Sequence, residues 1–180
     1  MRKIVLLVVS VALFFGCATT AREVGVRDKI TEKSGYLASK NIDKTFSLLG
    51  LITDSDFQMQ IKNIENDKKQ LLDFHRKEKY SIYELPVGKY IIISISKTET
   101  QKQGNVTKII TINAKVPAEL NSAIQIYQGK ITYIGDIQLD SKVLTPITTT
   151  YNYNFDKAKE EIPLQFKKIQ IDTIIPIEVK

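Results

Sequence analysis

The fold is decided by residues 80–95, YSIYELPVGKYIIISI. Residues 80–85 are rich in aromatic and β-branched side chains, which favour a β-strand. Pro86 and Gly88 occupy the second and fourth positions of a four-residue turn, as in a type I turn. The run that follows has apolar side chains on both faces, which predicts a central strand that is covered on both sides, at least locally. This stretch therefore predicts two strands joined by a turn.

The segment before this stretch also predicts strands. Phe57, Met59 and Ile61 alternate with polar residues, which is the period-two pattern of a strand with one face in water. The polar segment 63–69 contains an Asn-Asp pair, which favours a hairpin turn. Residues 70–74 then predict the returning strand.

The segment after this stretch predicts a strand at residues 106–112 and then a tight hairpin. The two strands of the hairpin are residues 123–127 and 130–139, which flank Gln128 and Gly129. Gly135, inside the second of these strands, predicts a β-bulge.

The C-terminal part predicts a helix over residues 156–168. Ala158, Ile162 and Phe166 share one face at four-residue spacing, and Asn154 or Asp156 is the expected N-cap. Pro163 predicts a kink or a division into two short pieces, because proline removes a backbone donor from the helix.

The end of the chain alternates again over residues 169–179, and Pro176 predicts an edge strand there. Many short strands, few helices and frequent turns predict a mainly β fold. We expect an antiparallel β-sandwich with a short C-terminal helix and a final edge strand.

Length and composition predict a single folded domain. The chain has 180 residues, of which 43% are hydrophobic and 26% are charged, as in ordinary globular proteins. The net charge is +6, and Arg2 and Lys3 supply two of these positive charges, which leaves +4 on the rest. Because charges of both signs interleave along the chain, nucleic acid is not an expected partner.

The N-terminus has the three parts of a secretory signal. Arg2 and Lys3 form a positive start, and residues 4–15 form an apolar stretch that is too short for a comfortable transmembrane helix. Gly16 and Cys17 follow at once. Cys17 is the single cysteine, so an internal disulfide is impossible and the core must hold the fold by itself.

Residues 13–17, LFFGC, resemble the lipobox of bacterial lipoprotein signals. This resemblance implies that the sulfur of Cys17 receives a diacylglyceryl group and that a dedicated peptidase cuts between Gly16 and Cys17. The new amino terminus is often acylated as well, with a chain such as palmitate. Phe14 and Phe15 depart from the commonest lipobox, which prefers Leu and then a small residue. The alternatives are an ordinary secretory signal with an incidental cysteine and an uncleaved membrane anchor.

The signal divides the chain into three predicted parts: a lipoprotein signal peptide (1–16), a lipidated tether (17–22) and a single β-sandwich domain (23–180). Ala18, rather than Asp, follows the cysteine. In the best-known sorting rule of such lipoproteins, this favours the outer membrane. We therefore expect an exported, membrane-anchored protein whose partner is membrane lipid, bound through acylated Cys17.

A second resemblance concerns the domain itself. Residues 85–90, LPVGKY, are similar to the L-P-x-G-x-Y turn of transthyretin-like and carboxypeptidase-regulatory-like β-sandwiches. Residues 128–135, QGKITYIG, resemble the later hairpin of small bacterial lipoproteins with a related sandwich. The resemblance covers residues 57–139, about half the chain. It implies a fold but no catalysis, because a fold alone does not define a function.

Patterns of catalytic and metal-binding residues are absent from the sequence. His75 is the single histidine and Cys17 is expected to be acylated, so a zinc site would lack ligands. Asp54-Ser55-Asp56 lacks the rest of a calcium-binding EF-hand loop. A G-x-S-x-G elbow and a phosphate-binding glycine loop are also missing. We expect no enzymatic activity, no metal and no cofactor.

Tyr151 and Tyr153 are the candidate ligand-binding residues. They lie two positions apart and would face the same side of a strand. Such a pair suits a stacking platform for sugars or peptides. Packing between the sandwich and the following helix is the alternative, and it is the favoured interpretation.

These patterns favour a non-catalytic envelope lipoprotein with a binding or assembly role. It would engage another envelope protein through a sheet edge or through its loops. The first alternative is a carrier that holds a lipid or a small hydrophobic ligand in a sandwich cavity. An envelope hydrolase is a weaker alternative.

Overall fold

The computed structural model describes residues 18–45, 52–74, 79–103, 106–141 and 147–178. The predicted signal peptide, Cys17 and His75 lie outside the described residues. In chain order the described strands are β1 (Thr19–Thr20), β2 (Arg22–Glu23), β3 (Gly35–Thr45), β4 (Ile52–Asn63), β5 (Lys69–Phe74), β6 (Tyr80–Leu85), β7 (Gly88–Gln103), β8 (Val106–Ala114), β9 (Ile124–Ile126), β10 (Ile131–Ser141), β11 (Thr148–Asn152) and β12 (Ile174–Pro176).

The strands form two sheets that pack on each other. Sheet A has the order β1-β5-β4-β7-β8, with β9 also paired to β7. Sheet B has the order β11-β10-β3-β6-β2, with β12 also paired to β10. Apolar side chains from both sheets fill the space between them, among them Met59, Ile61, Leu72, Ile95, Ile134 and Leu139. This arrangement confirms the predicted mainly β sandwich with a C-terminal helix and a final edge strand.

The single described α-helix, α1 (Phe155–Gln165), covers the outer face of sheet B. Ala158, Ile162 and Phe166, the predicted helix face, pack in one cluster with strand residues such as Ala38 and Ile82. Of the described helices, none combines the length and the apolar character that crossing a bilayer requires.

α1 begins at Phe155, one residue before the predicted start, and ends at Gln165, three residues before the predicted end. Asn154 is the N-cap, and its side-chain oxygen accepts a hydrogen bond from the backbone N–H of Lys157 at 3.2 Å. The helix runs through Pro163 to Gln165 without dividing into two pieces. Pro163 lies in the last turn, where the missing donor removes one hydrogen bond close to a point at which the helix ends anyway.

Strand β3 lies inside sheet B and has no counterpart among the predicted strands. It pairs with β6 in antiparallel fashion and with β10 in parallel fashion. Leu37 belongs to the core between the sheets and Ala38 to the cluster under α1, so both faces of the strand are covered. Ser39 and Asn41 are buried as well, and these polar residues conceal the apolar pattern of a strand.

The sandwich is not wholly antiparallel. The pairs β1–β5, β3–β10 and β10–β12 are parallel, whereas the remaining described pairs are antiparallel. The predicted hairpin of β4 and β5 is confirmed. In the turn of this hairpin, Asp67 has a positive φ of 58°, a conformation that Asp tolerates. Its carboxylate forms an ion pair with Lys62, in which Nζ and Oδ1 are 2.6 Å apart.

The predicted hairpin of residues 123–127 and 130–139 is wrong. The turn exists, because the Lys130 N–H donates to the carbonyl oxygen of Tyr127. Its two arms, however, enter different sheets: β9 pairs with β7 and β10 pairs with β3. The Gly129 N–H donates a hydrogen bond to the carbonyl oxygen of Ser34 at 2.8 Å, so the turn is attached to the chain segment that precedes β3. The segment is a corner between the sheets.

Strand β7 contains an irregularity that the apolar run did not reveal. Gln60 pairs with Ser94 and Ile61 pairs with Ile92, which leaves Ile93 as an extra residue. This bulge turns Ile93 outward, where it is 38% exposed, while Ile92 and Ile95 stay in the core. The strand is central, as predicted, but it is not covered on both faces at this point.

The N-terminal segment, predicted to be a tether over residues 17–22, is part of the fold from Thr19 onward. β1 extends the edge of sheet A beside β5, and β2 extends the edge of sheet B beside β6. The start of β1 lies beside the beginning of β5, and the turns at residues 64–68, 86–87 and 127–130 lie at the same end of the sandwich. We call this end the proximal end.

Candidate functional site

Tyr151 and Tyr153 come together as their spacing predicts. Tyr151 lies in β11 and Tyr153 follows the strand, directly before the N-cap of α1. Their rings stack, with centroids 6.4 Å apart and planes inclined by 25°. The ring of Tyr153 also stacks on Tyr133, at 5.5 Å and 28°. The pair is therefore part of a larger group of aromatic rings.

Gly135 gives Tyr151 its place. The predicted bulge is confirmed, because the register of β10 against β3 shifts between Tyr133 and Asp136. Gly135 has φ +104°, a conformation that favours glycine. A Cβ atom at this position would overlap the Tyr151 ring. The bare backbone of Gly135 thus forms the surface on which that ring lies.

Two further rings border Tyr133. Tyr80 meets it edge to face at 6.2 Å, and Phe155 lies 6.4 Å away at a tilt of 37°. We call these five rings, Tyr80, Tyr133, Tyr151, Tyr153 and Phe155, the tyrosine cluster. It lies where β10, β11 and the start of α1 meet. Tyr153 is 42% exposed, whereas Tyr80 and Tyr133 are buried, so Tyr153 is the ring that solvent reaches most easily.

A carboxyl group lies beneath the cluster. The Tyr133 hydroxyl donates a hydrogen bond to Oδ1 of Asp136 at 2.7 Å. Burial raises the pKa of Asp136, although the hydrogen bond from Tyr133 and the charges of Lys40 and Lys157 act in the opposite direction. Burial, together with Asp136, also raises the pKa of Tyr133.

A second polar group adjoins the first. The Tyr80 hydroxyl donates to Oε2 of Glu161 at 3.0 Å, and burial raises the pKa of Tyr80. Lys40 lies 3.9 Å from the same carboxylate oxygen and 5.4 Å from the centroid of the Tyr80 ring. Lys157, one turn before Glu161 on α1, lies 3.7 Å from its other oxygen. Sheet B and α1 are thus joined by charged groups at this point.

The cluster suits recognition better than covalent chemistry. Burial raises the pKa of Tyr151 to about 12, and the pKa values of Tyr80, Tyr133 and Tyr153 are raised too. At neutral pH these phenols keep their protons, so they act as hydrogen-bond donors rather than as bases or nucleophiles. The ring of Tyr153, the most exposed of the four, can stack on the apolar side of a sugar or on a peptide group.

The sequence patterns locate only part of this site. Tyr151 and Tyr153 were predicted, whereas Lys40, Asp136 and Glu161 carry no signal in isolation. A glycine inside a strand, flanked by Tyr133 and Asp136, could have indicated that these two side chains meet, because a β-bulge changes the direction of the side chains on either side of it.

The other predicted site residues are not part of this cluster. Gly16 and Cys17 lie outside the described residues, and Asp54-Ser55-Asp56 lies in β4 with side chains that are not described. Among the described residues, three or more His, Cys, Asp or Glu side chains do not converge as a metal site would require. Comparison of the chain with protein-family models, with curated proteins and with solved structures found no significant match.

Proposed function

We propose that this protein is a cell-envelope lipoprotein, held at the outer membrane by acyl chains on Cys17, with a non-catalytic binding or assembly role. The observation that carries the proposal is the start of the fold. Strand pairing begins at Thr19, two residues after the lipobox cysteine. Two residues span at most about 7 Å, so an anchor on Cys17 would hold the domain directly at the bilayer.

The chemistry of acylation supports a lasting attachment. Each buried methylene group contributes about 0.8 kcal/mol, and one acyl chain alone binds only marginally. Two or three chains on Cys17 would make release negligible. The domain itself would add a recognition surface, for which the tyrosine cluster is the candidate.

The anchoring is tested by the intact mass of the protein extracted from cell membranes, with Cys17→Ser as the comparison. We expect a chain that begins at Cys17 and carries two or three acyl chains, and a Cys17→Ser protein that carries none and leaves the membrane fraction. A wild-type protein without acyl chains, or a Cys17→Ser protein that stays in the membrane, would contradict the proposal.

The binding role is tested by co-sedimentation with purified cell-wall sacculi, which offer both glycan and peptide. Tyr153→Ala removes the most exposed ring of the cluster, and we expect it to weaken binding by up to about tenfold, since a stacked aromatic pair is worth about 0.5–1.5 kcal/mol. The matched control is Leu164→Ala, because Leu164 is 79% exposed on α1 and is not a member of the cluster. Equal binding by wild type and Tyr153→Ala would exclude the cluster as the contact surface.

A further inference from the structure

The proximal end is the part of the domain nearest to the proposed anchor. Thr19 pairs with Gln70 near the start of β5, and β1 runs parallel to β5, so the chain before Thr19 leaves the sandwich at this end. The Ile64 N–H donates to the carbonyl oxygen of Lys89 at 2.9 Å, which joins the turn after β4 to the start of β7. The chain therefore enters the described fold at this end.

Large apolar side chains are exposed at this end. Ile64 and Val87, at the tips of two joined turns, are 46% and 45% exposed. Ile171 is 50% exposed in the 3₁₀ helix (Ile171–Thr173) that precedes β12, and β12 enters sheet B beside the first residues of β10. Isolated exposed apolar residues are ordinary, but these share one end of the molecule with the anchor.

Lysines surround these side chains. Lys68, Lys69 and Lys89 are exposed around the two joined turns. Two carboxylates are exposed there too: Asp67 forms an ion pair with Lys62, whereas Glu65 does not. A groove of about 660 Å³ opens beside the turn at residues 127–130. Three lysines and one glutamate line this groove, namely Lys29, Lys130, Lys168 and Glu32. Asp172, next to Ile171, is exposed as well, but lysines outnumber carboxylates around the joined turns and the groove taken together.

We infer that the proximal end rests on the membrane, with Ile64 and Val87 in the headgroup layer and the lysines against anionic lipid headgroups. This inference rests on the proposed anchoring at Cys17, and it adds an orientation and a second, non-covalent contact. Apolar tips within a basic rim are the combination that binds an anionic bilayer surface. The bilayer is the occupant because the chain that precedes Thr19 leads to the acyl chains from this end.

The orientation also assigns a position to the tyrosine cluster. β11 pairs in antiparallel fashion with the second half of β10 and so runs back toward the proximal end, and Tyr153 follows it at the side edge of sheet B, where its ring stacks on Tyr133. A membrane at the proximal end would meet the tips of the turns, whereas Tyr153 is exposed at the side of the sandwich and stays in the aqueous space. The acyl chains and the basic end bind lipid, and the tyrosine cluster stays free for another partner.

The test uses tryptophan as a depth probe, because the natural chain has none. Variants Ile64→Trp and Val87→Trp place a probe at the proximal end, and Leu164→Trp places the control on α1. The chain from Cys17 to Lys180, which contains every described residue, is coupled through its single cysteine to a maleimide lipid in vesicles. The anchor is then supplied chemically, whatever the cell does with Cys17.

In vesicles that contain phosphatidylglycerol, we expect the emission of Ile64→Trp and Val87→Trp to shift to shorter wavelength and to be quenched by brominated acyl chains. The emission of Leu164→Trp should keep its wavelength and intensity. Adding Lys68→Glu and Lys89→Glu to Val87→Trp should reduce the quenching, and so should salt at about 1 M, where the Debye length falls to about 3 Å.

Proximal probes that behave like Leu164→Trp would overturn the inference, as would quenching that is equal at all three positions. A protein partner at this end would produce the first of these results. Failure of the anchoring proposal is a different observation, namely a cell-derived protein without acyl chains, and it leaves the vesicle experiment readable.

Discussion

At the scale of single residues, Gly135 determines how the aromatic rings are arranged. Its positive φ creates the bulge that separates Tyr133 from Asp136, and its missing side chain leaves room for the Tyr151 ring. Gly129 offers a comparison, because it also has a positive φ, of 65°, but a Cβ there would come no closer than 3.8 Å to its neighbour Glu32. Gly129 therefore reports the cost of a side chain in the left-handed region alone, whereas Gly135 adds both a φ outside that region and steric overlap with the Tyr151 ring.

We expect Gly129→Ala to cost about 1–2 kcal/mol in the free energy of unfolding, which is the ordinary penalty for alanine in a left-handed conformation. Gly135→Ala should cost more, because the new methyl group must also displace the Tyr151 ring. Urea unfolding measures the free energies, and near-ultraviolet circular dichroism reports the tyrosine environment, which should change only in Gly135→Ala. Equal losses in the two variants would mean that the ring of Tyr151 moves aside at no cost.

At the scale of elements, local patterns predict turns and exposed alternation well but do not identify partners. The β4–β5 hairpin and the start of α1 depend on neighbours in sequence, such as Asn154 and Lys157, and both were predicted. The corner at Gly129 has the residues of a hairpin turn, yet its arms join different sheets because Ser34, far away in sequence, holds the turn. Strand β3 escaped prediction since its buried Ser39 donates to the Gly135 carbonyl, a partner that only the fold supplies. Long-range pairing also brings Lys40 to Glu161, so this part of the site was out of reach of the sequence.

The capping of α1 gives the prediction at this scale. Asn154→Ala removes the acceptor of the Lys157 N–H, and we expect the free energy of unfolding to fall by about 1 kcal/mol. Asn152→Ala is the matched control, because Asn152 is exposed in β11 and caps no helix. The measurement is again urea unfolding. A loss in Asn152→Ala as large as that in Asn154→Ala would show that the cap contributes nothing.

At the scale of the whole molecule, the N-terminal segment links the two sheets. Within five residues it adds one strand to the edge of sheet A and one to the edge of sheet B, and Ala21 between them is buried in the core. A link of this kind fixes the position of the proposed anchor relative to both sheets. A segment held only at its end would instead leave the domain free to turn on its tether.

The Ala21 N–H donates a hydrogen bond to the carbonyl oxygen of Leu71 at 2.9 Å. Removing this hydrogen bond tests whether the N-terminal segment stabilises the fold. Ala21→Pro removes the donor, and we expect a loss of roughly 0.5–1.5 kcal/mol in the free energy of unfolding, the usual net contribution of one hydrogen bond. Thr20→Pro is the matched control, because N–H groups alternate in direction along a strand and that of Thr20 points away from β5 at the sheet edge. In limited proteolysis, Ala21→Pro should be cut within residues 18–24 faster than Thr20→Pro. The control is matched because each variant carries one proline in the same segment. Equal stability and equal cleavage of the two variants would mean that pairing with β5 does not hold the segment. The domain would then be attached through a flexible tether, as the sequence alone predicts.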